Sequence, residues 1–306
     1  MTEEIPLRDE SSIPPPTVAD SFESMTLTMH CRRKQTIYVC NNDSWTPVTQ
    51  DSMATAPLSR KDQVTSLRVL TWNVDAFAPA AGRRLNALLD HVSTQIDTDP
   101  LGALDIVCLQ EVSPLALRTL TDHPWIKANF FLTDISPTDW RGFGTFKSFG
   151  SVSLVRKAVG SSTPLYVPTE VYRTDYKSRM NRDALIVDLT FPSIASGSQD
   201  AGDVAILETH PSVDRAFHLR VINVHLESLA LQPPLRPAQL AHCTNHVNEA
   251  DAGFIAGDFN AIEYFDDELA EKNGLIDAWA ALHPAESGDE VPEGIFRLGM
   301  KKGGET

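Results

Sequence analysis

Hydrophobic and polar positions along the chain predict an α/β domain that begins at about residue 66. Residues 67–72 alternate between apolar and polar side chains, which is typical of a half-buried strand, and the strand ends at the polar Asn73. An amphipathic helix follows, because apolar residues recur at helical spacing at Leu85, Leu88, Leu89, Val92 and Ile96. Residues 105–109 then form a short apolar run, the pattern of a strand buried on both faces. The order strand, helix, buried strand favours α/β layering.

Further strands and a second helix are predicted downstream by the same patterns. The strands are expected at residues 152–155, 184–189, 204–207, 219–226 and 253–256. The helix is expected from Gln232 to about Ala250, with its prolines in the first turn. Residues 193–202 are typical of an inserted surface loop, and residues 298–306 have no core pattern and are predicted to be loop or tail.

The segment before residue 66 is expected to be separate from this domain. Residues 1–24 are rich in proline, serine and acidic residues and are predicted to be a disordered tail. Residues 25–65 are predicted to form a small hairpin or lid followed by a linker, because strand patterns at Thr26–Met29 and Thr36–Val39 precede a turn at Asn41–Asp43. The domain division is therefore 1–24, 25–65 and 66–306.

Charge and cysteine content narrow the function classes. The 26 Lys and Arg against 41 Asp and Glu give a formal net charge of −15, which argues against nucleic-acid binding through a basic surface. A phosphate substrate would therefore need bound cations and local arginines. The four cysteines have no Cys-x-x-Cys spacing, so neither a zinc site nor a disulfide framework is indicated. Without a membrane-spanning apolar run, the expectation is an intracellular protein of the nucleus or cytoplasm, with no membrane partner.

Polar side chains stand where the predicted strands end. Each position has an ordinary explanation by itself: a turn for Gly257–Asn260, a capped strand end for Glu111, and a buried core imidazole for His225. A carboxylate after a buried apolar run is nevertheless costly unless it is paired or binds a metal. The joint occurrence is more specific than any single member, and it comprises Asn73, Gln110-Glu111, His225-x-Glu227-Ser228 and Asp258-x-Asn260.

These motifs resemble those of the endonuclease/exonuclease/phosphatase superfamily. The matching motifs are Thr71-Trp72-Asn73, Leu109-Gln110-Glu111-Val112, Asn223-Val224-His225-Leu226 and Gly257-Asp258-Phe259-Asn260. Further motifs resemble the 5′-tyrosyl-DNA phosphodiesterase branch, namely His225-Leu226-Glu227-Ser228 followed by Arg236-x-x-Gln239-Leu240, Met180-x-Arg182-Asp183-Ala184-Leu185 and Gly274-Leu275-Ile276-Asp277-Ala278-Trp279. The resemblance spans roughly residues 66 to 282.

The resemblance implies a deoxyribonuclease I-like, two-sheet α/β sandwich that hydrolyses phosphodiesters with Mg²⁺, or with Mn²⁺ as the alternative metal. Glu111 would hold the metal, and Asp258 would orient or deprotonate the attacking water. Asn73 and Asn260 would position the phosphate or that water. Arg182 and His225 would donate hydrogen bonds to phosphate oxygens. The implied partner is a DNA 5′ end that carries a protein or peptide adduct, bound by a monomer.

The C-terminus departs from the superfamily pattern. Members of the superfamily close with further strands that carry an Asp-His pair, and this sequence ends before such a pair. The expectation is therefore a domain that is C-terminally incomplete, through truncation, an alternative isoform or a mispredicted gene end. Two hypotheses follow: a metal-dependent phosphodiesterase, or a catalytically impaired member that serves as a binding or regulatory protein. A phosphatase of another branch is the alternative within the enzyme class.

Overall fold

A computed structural model describes residues 32–48, 67–98, 103–141, 149–157, 166–191, 216–282 and 299–301. The strands are β1 Arg32–Lys34, β2 Tyr38–Asn41, β3 Ser44–Pro47, β4 Val69–Asn73, β5 Ile106–Val112, β6 Phe130–Leu132, β7 Gly150–Arg156, β8 Val167–Asp175, β9 Asp183–Phe191, β10 Phe217–His225, β11 Ala252–Asp258, β12 Leu275–Asp277 and β13 Gly299–Lys301. The helices are α1 Ala81–Thr98, α2 Pro114–Asp122, α3 Pro124–Asn129, α4 Arg236–Asn248, α5 Leu269–Lys272 and α6 Ala278–Leu282, with 3-10 turns at Pro137–Asp139 and Tyr264–Glu268.

The strands form two sheets. A six-stranded sheet has the order β3-β2-β6-β7-β5-β4, and a seven-stranded sheet has the order β1-β8-β9-β10-β11-β13-β12. Most neighbouring strands are antiparallel, but β4 pairs with β5 and β10 pairs with β11 in parallel. Each sheet therefore contains one parallel pair whose strands end at the same edge.

The core comprises three layers of buried side chains. The middle layer lies between the sheets and includes Ile106 and Cys108 from β5 with Val187 and Val221 from the other sheet. The second layer packs α1 and α2 on the outer face of the six-stranded sheet, and the third packs α4 on the outer face of the seven-stranded sheet. The fold is thus a helix–sheet–sheet–helix sandwich, which confirms the predicted two-sheet α/β class.

Strands buried on both faces were predicted best. In β5, Ile106 and Cys108 face the other sheet while Val107 and Leu109 face the helices, and all four are at most 2% exposed. Strands β7, β9 and β11 each contain a predicted segment, β10 ends one residue before the end of the segment predicted at 219–226, and α1 contains the predicted amphipathic residues. The strands expected at 26–29 and 204–207, the tail, the linker and the loop at 193–202 lie outside the described residues.

Several elements differ from the prediction. The second helix begins at Arg236 instead of Gln232, because Pro233 and Pro234 precede it and proline suits only the first helical turn. Strand β8 and helices α2 and α3 were not predicted. Strand β8 carries Glu170, Arg173 and Asp175, which obscure its alternation.

The expectation of loop or tail for residues 298–306 is wrong for Gly299–Lys301. These residues form β13, which pairs antiparallel with both β11 and β12. A three-residue strand between two others is held by backbone hydrogen bonds, so it needs no hydrophobic alternation of its own. Residues 298 and 302–306 are outside the described part of the chain.

The hairpin predicted near the N-terminus lies at β2 and β3. Its turn residues Asn42 and Asp43 have φ angles of 47° and 61°, the left-handed region that two-residue hairpin turns require. Strand β2 also pairs with β6, so the hairpin extends the six-stranded sheet, and β1 pairs with β8 in the other sheet. The domain boundary at residue 66 stays a prediction.

None of the helices in the described residues is sufficiently long and apolar to cross a membrane.

Candidate active site

The candidate site lies where the two parallel strand pairs end. Asn73 ends β4 and pairs in register with Gln110 of β5, while His225 ends β10 and pairs in register with Asp258 of β11. The Asn73 amide bridges the sheets, since its Nδ2 donates to Asp258 Oδ2 at 2.8 Å and to Glu111 Oε1 at 3.2 Å. One amide thus holds two carboxylates from opposite sheets.

A β-bulge directs Glu111 into this site. Residues Leu109 and Val112 of β5 pair with Val152 and Gly150 of β7, so two residues of β5 stand opposite one residue of β7. Glu111 has a φ of 54°, a left-handed conformation that costs a non-glycine residue of order 1 kcal/mol. Its Oε2 accepts a hydrogen bond from Ala76 N at 3.1 Å. The strained backbone conformation positions the carboxylate beside Asn73.

Gly257 allows the backbone to bring Asp258 into the site. Gly257 has a φ of 143°, and a Cβ there would lie 2.0 Å from the carbonyl oxygen of Val224. Only glycine permits β10 and β11 to approach so closely at this point. The next residue, Asp258, accepts a hydrogen bond from Asn260 N at 3.0 Å, so its two oxygens are held from opposite sides by Asn260 and Asn73.

The side chain of Asn260, which was expected to contact phosphate or water, forms a hydrogen bond with the backbone. Its Nδ2 donates to Leu226 O at 2.9 Å, which ties the turn after β11 to the residue that follows β10. The structure therefore brings Asn260 next to the site. Its role in positioning phosphate or water stays a prediction.

His225 completes the cluster of Asn73, Glu111 and Asp258. Its Nε2 lies 3.6 Å from Glu111 Oε1 and 3.5 Å from Asp258 Oδ2, and the residue is 4% exposed. Burial, with a smaller contribution from Arg182, lowers the pKa of His225 to about 2. The two carboxylates act in the opposite direction because they favour an imidazolium. Burial prevails, so the ring is neutral at pH 7 and can donate one hydrogen bond.

Arg182 lies beside these groups as a buried cation. Its Nη1 donates to Leu226 O and its Nη2 donates to Ser228 Oγ at 3.4 Å, and both acceptors are uncharged. Its Nε is buried without a hydrogen-bond partner among the described residues. Burial lowers the pKa of Arg182, while nearby anionic groups, including Asp258 and Glu111, act to raise it. The guanidinium is available to an anion that enters the site.

Gln110 has a role that the sequence did not reveal. It is completely buried, and its Nε2 donates to Asn223 Oδ1 at 2.8 Å. Asn223 in turn donates to Leu109 O at 3.2 Å and Val152 O at 3.1 Å. These amides join the two sheets under the site instead of facing a substrate. Their place in the family motifs was visible in the sequence, but their mutual contact was not.

Beside His225 and Arg182 a concavity with an empty volume of about 430 Å³ opens to solvent. Its lining residues are Trp140, Arg141, Phe149, Gly150, Ser151, Arg173, Met180, Asn181, Arg182, Asp183 and His225.

The buried cysteines are not candidate nucleophiles, because burial raises the pKa values of both Cys108 and Cys243 to about 12.

The site therefore combines two carboxylates, a neutral imidazole, an amide and a guanidinium. Such a set can bind a phosphate group and activate a water molecule. Within the described residues, neither Glu111 nor Asp258 pairs with a lysine or arginine, and no three His, Cys, Asp or Glu side chains are arranged to hold one metal ion.

Comparison with known families decides the assignment. Residues 70–277 match the model of the Endonuclease/Exonuclease/phosphatase family. The chain belongs to this family. The match covers all the strand ends that form the site, and it confirms the resemblance found in the sequence. Members of this family are hydrolases that act on phosphodiesters and phosphomonoesters, so the chain is a hydrolase by family.

Solved structures of several family members are similar to the chain. D. rerio TDP2 humanized by 14 mutations has a TM-score of 0.49 at 19% identity, with 77% of this chain and 82% of that chain covered. D. rerio TDP2 complexed with single strand DNA product has a TM-score of 0.48 at 19% identity, covering 77% and 84%. The Bacteroides thetaiotaomicron mannosyl-6-phosphatase Bt3783 has a TM-score of 0.44 at 14% identity, covering 77% and 85%. No curated protein matches the chain significantly.

Proposed function

We propose that the chain is a Mg²⁺-dependent phosphodiesterase that removes tyrosyl adducts from DNA 5′ ends. The observation that carries the proposal is the convergence of Glu111, Asp258, Asn73, His225 and Arg182 at the ends of the two parallel strand pairs. The DNA substrate class rests on the motifs around Glu227, Gln239 and Arg182 that resemble the 5′-tyrosyl-DNA phosphodiesterase branch. We extend the proposal to a monomeric protein of the nucleus or cytoplasm.

The donor set at the site fits a hard divalent cation. Mg²⁺ prefers one or two carboxylates together with waters and substrate phosphate oxygens, so it does not need a cage of three protein ligands. Glu111 would hold the ion, because its carboxylate is held toward the site by a strained backbone conformation and has no cationic partner among the described residues. Mn²⁺ suits the same oxygens. When bound, the metal would neutralise charge on the phosphate and the leaving oxygen.

The residues of the chain supply the remaining steps. Asp258 takes a proton from the attacking water, whose oxygen forms a new bond to phosphorus while the bond from phosphorus to the tyrosyl oxygen breaks. Asn73 fixes the Asp258 carboxylate through its 2.8 Å hydrogen bond. The neutral His225 and the cationic Arg182 donate hydrogen bonds to phosphate oxygens, where negative charge increases in the transition state. The tyrosyl oxygen leaves as a phenolate, which takes a proton from solvent water, so the products are a 5′-phosphate and a free tyrosine side chain.

The test is hydrolysis of an oligonucleotide with a 5′-phosphotyrosyl end, measured by separating the product on a gel. We expect turnover in Mg²⁺ and no turnover in EDTA, with activity restored when the metal is returned. Asp258→Asn should lower the rate more than about a hundredfold, because the amide cannot accept the proton from water.

The matched control for this test is Glu268→Gln. Glu268 is an exposed carboxylate that pairs with Lys272 at 2.7 Å, away from the site, so its substitution should leave the rate unchanged. Full activity in EDTA would contradict the metal assignment. Hydrolysis of a sugar or inositol phosphate without hydrolysis of the tyrosyl substrate would move the chain to a phosphatase branch. Binding without any turnover would favour the catalytically impaired alternative.

A further inference from the structure

Glu227 is a fully buried carboxylate outside the cluster that would hold the metal. It follows β10 by two residues and is 0% exposed. Its Oε2 accepts hydrogen bonds from Ser178 Oγ at 2.9 Å and Arg179 N at 3.1 Å. Its Oε1 is buried and accepts no hydrogen bond from the described residues. A carboxylate buried in this way is costly unless its interactions serve a purpose beyond packing.

Ser178 connects this carboxylate to the backbone of Arg182. The Ser178 hydroxyl donates to Glu227 and accepts from Met180 N at 3.0 Å and Arg182 N at 3.2 Å. Residues 178–182 thus form a compact turn whose central acceptor is oriented by Glu227. The Ser178 hydroxyl has a single proton, and the Glu227 carboxylate accepts it. The lone pairs of Ser178 Oγ therefore face the two amides.

The Arg182 side chain returns to the segment that contains Glu227. Its guanidinium bonds to Leu226 O and Ser228 Oγ, the residues on either side of Glu227. Gln239 of α4 reinforces the arrangement, because it accepts from Glu227 N at 2.9 Å and donates to Lys177 O at 2.8 Å. Residues 178–182 and residues 226–228 are therefore linked in both directions. Glu227 accepts a hydrogen bond from Arg179 N, and Arg182 donates one to Leu226 O.

We propose that Glu227 is a positioning residue that acts through Ser178 to hold the Arg182 guanidinium at the phosphate site. This inference rests on the proposed role of Arg182 in binding phosphate. Glu227 contacts no reacting group itself. The branch motifs that contain Glu227, Gln239 and Arg182 thereby form one connected unit.

The test is a double-mutant cycle on phosphate binding, which does not depend on turnover. The probe is a hexathymidine with a 5′-phosphate and a 3′-fluorescein, and its Kd is measured by fluorescence anisotropy in Mg²⁺ at a temperature where every variant is folded. We expect Glu227→Ala and Arg182→Ala each to raise Kd about tenfold, and the double variant also to raise it about tenfold instead of a hundredfold. Ser178→Ala should behave like Glu227→Ala.

Two further variants separate positioning from folding. Glu227→Gln keeps an oxygen that can accept from Ser178 and Arg179 N, so Kd should stay within about threefold of wild type even though a buried amide lowers the melting temperature. Asp188→Ala is the matched control, because Asp188 is a partly buried carboxylate that pairs with Arg220 at 2.6 Å on the neighbouring strand. It should lower the melting temperature and leave Kd unchanged.

Each outcome is decisive. An unchanged Kd for Glu227→Ala, or multiplicative effects in the double variant, would overturn the positioning role. Loss of binding in Glu227→Gln as severe as in Glu227→Ala would overturn the hydrogen-bonding path through Ser178. Absence of saturable probe binding by the wild type would overturn the phosphate site and the positioning role together. Probe binding without hydrolysis of the tyrosyl substrate would overturn the proposed tyrosyl-DNA phosphodiesterase function and leave the phosphate site and the positioning role in place.

Discussion

Two buried arginines lie close together in the fold but differ in their partners. Arg173 is 1% exposed and pairs with Asp134 and Asp183, each at 3.0 Å. Arg182 is 8% exposed, and its hydrogen bonds go to a carbonyl and a hydroxyl. Burial alone would lower both pKa values, but Asp134 and Asp183 raise the pKa of Arg173 above its ordinary value, whereas the pKa of Arg182 stays lowered.

The carboxylates show the same contrast. Asp134 is surrounded by donors from Arg173, Thr133 and Trp140, whereas Glu111 and Asp258 share the amide of Asn73 without a cationic partner among the described residues. Removing one partner of a buried ion pair is strongly destabilising, because it leaves a buried charge uncompensated. A buried charge without a counter-charge indicates a site that awaits a ligand. The contrast separates the structural cluster around Arg173 from the candidate active site.

The largest expected effect lies in the structural cluster. Asp134→Ala should lower the free energy of unfolding by about 3–5 kcal/mol, because it leaves part of the buried Arg173 charge uncompensated. Urea denaturation measures this loss. Asp139→Ala is the control, since Asp139 is an exposed carboxylate a few residues along the chain and its loss should cost less than about 0.5 kcal/mol. A similar cost for both variants would contradict the structural role of the Arg173 cluster.

In the active site the expected effect is on rate instead of stability. Glu111→Gln should reduce phosphodiester hydrolysis more than about a hundredfold, because a neutral amide binds Mg²⁺ poorly. The free energy of unfolding should change by less than about 1 kcal/mol, since the variant also removes repulsion between Glu111 and Asp258. A loss of stability as large as that of Asp134→Ala would mean that Glu111 is structural as well.

A smaller effect is expected on the free energy of unfolding when the pH is lowered. Burial lowers the pKa of His246 below its ordinary value of 6.5, while Glu249 acts to raise it and Arg32 and Arg220 act to lower it further. The unfolded state therefore binds the proton more tightly, so the stabilisation is present above about pH 6.5 and is lost as the pH falls. The loss can reach about 1.4 kcal/mol per pH unit for one histidine.

His246→Gln tests this assignment because it removes the titrating ring. Urea denaturation between pH 7.5 and 5 should give a shallower fall in stability for the variant than for the wild type. Parallel curves would show that His246 does not contribute to the acid sensitivity. Glu268→Gln provides an exposed control, whose curve should follow that of the wild type.

The smallest expected effect is that of salt concentration on the affinity for DNA. A chain with a net charge of −15 should contact few phosphates, with Arg182 among the contacts. For a single-stranded probe, contacts to two or three phosphates correspond to a slope of log K against log salt of about −1.4 to −2.1. Binding of the labelled hexathymidine between 50 and 200 mM NaCl measures this slope. A slope of about −4, which corresponds to contacts with nearly every phosphate of the probe, would indicate a positively charged groove in addition to Arg182.

Sequence patterns predicted the parts of the fold where burial dictates residue type. Strand β5 was found because both of its faces are buried, and α1 because its apolar residues follow the helical period. Strand β8 was missed because Arg173 and its neighbours are charged, and the ion pairs that allow their burial come from residues far along the chain. Strand β13 was missed because backbone pairing alone defines it.

The sequence identified residues of the candidate site but not the contacts between them. The sequence identified Glu111, Asp258, Asn73, His225 and Arg182 as strand-end or motif residues. It could not indicate that a bulge turns Glu111 toward Asn73, since the register of β5 against β7 depends on tertiary contacts. The link from Glu227 through Ser178 to Arg182 was hidden for the same reason, because it joins segments 49 residues apart.

The pairing of β1 with β8 has a consequence for how the chain folds during synthesis. Arg32 pairs with Thr174, so the first strand of the seven-stranded sheet must wait until 142 more residues have been made. At about 5–20 residues per second this takes roughly 7–28 s, during which the strand has no native neighbour in its sheet. The other sheet shares this delay in part, because β2 pairs with β6. Such late pairing leaves the early strands of a nascent chain open to premature association during synthesis.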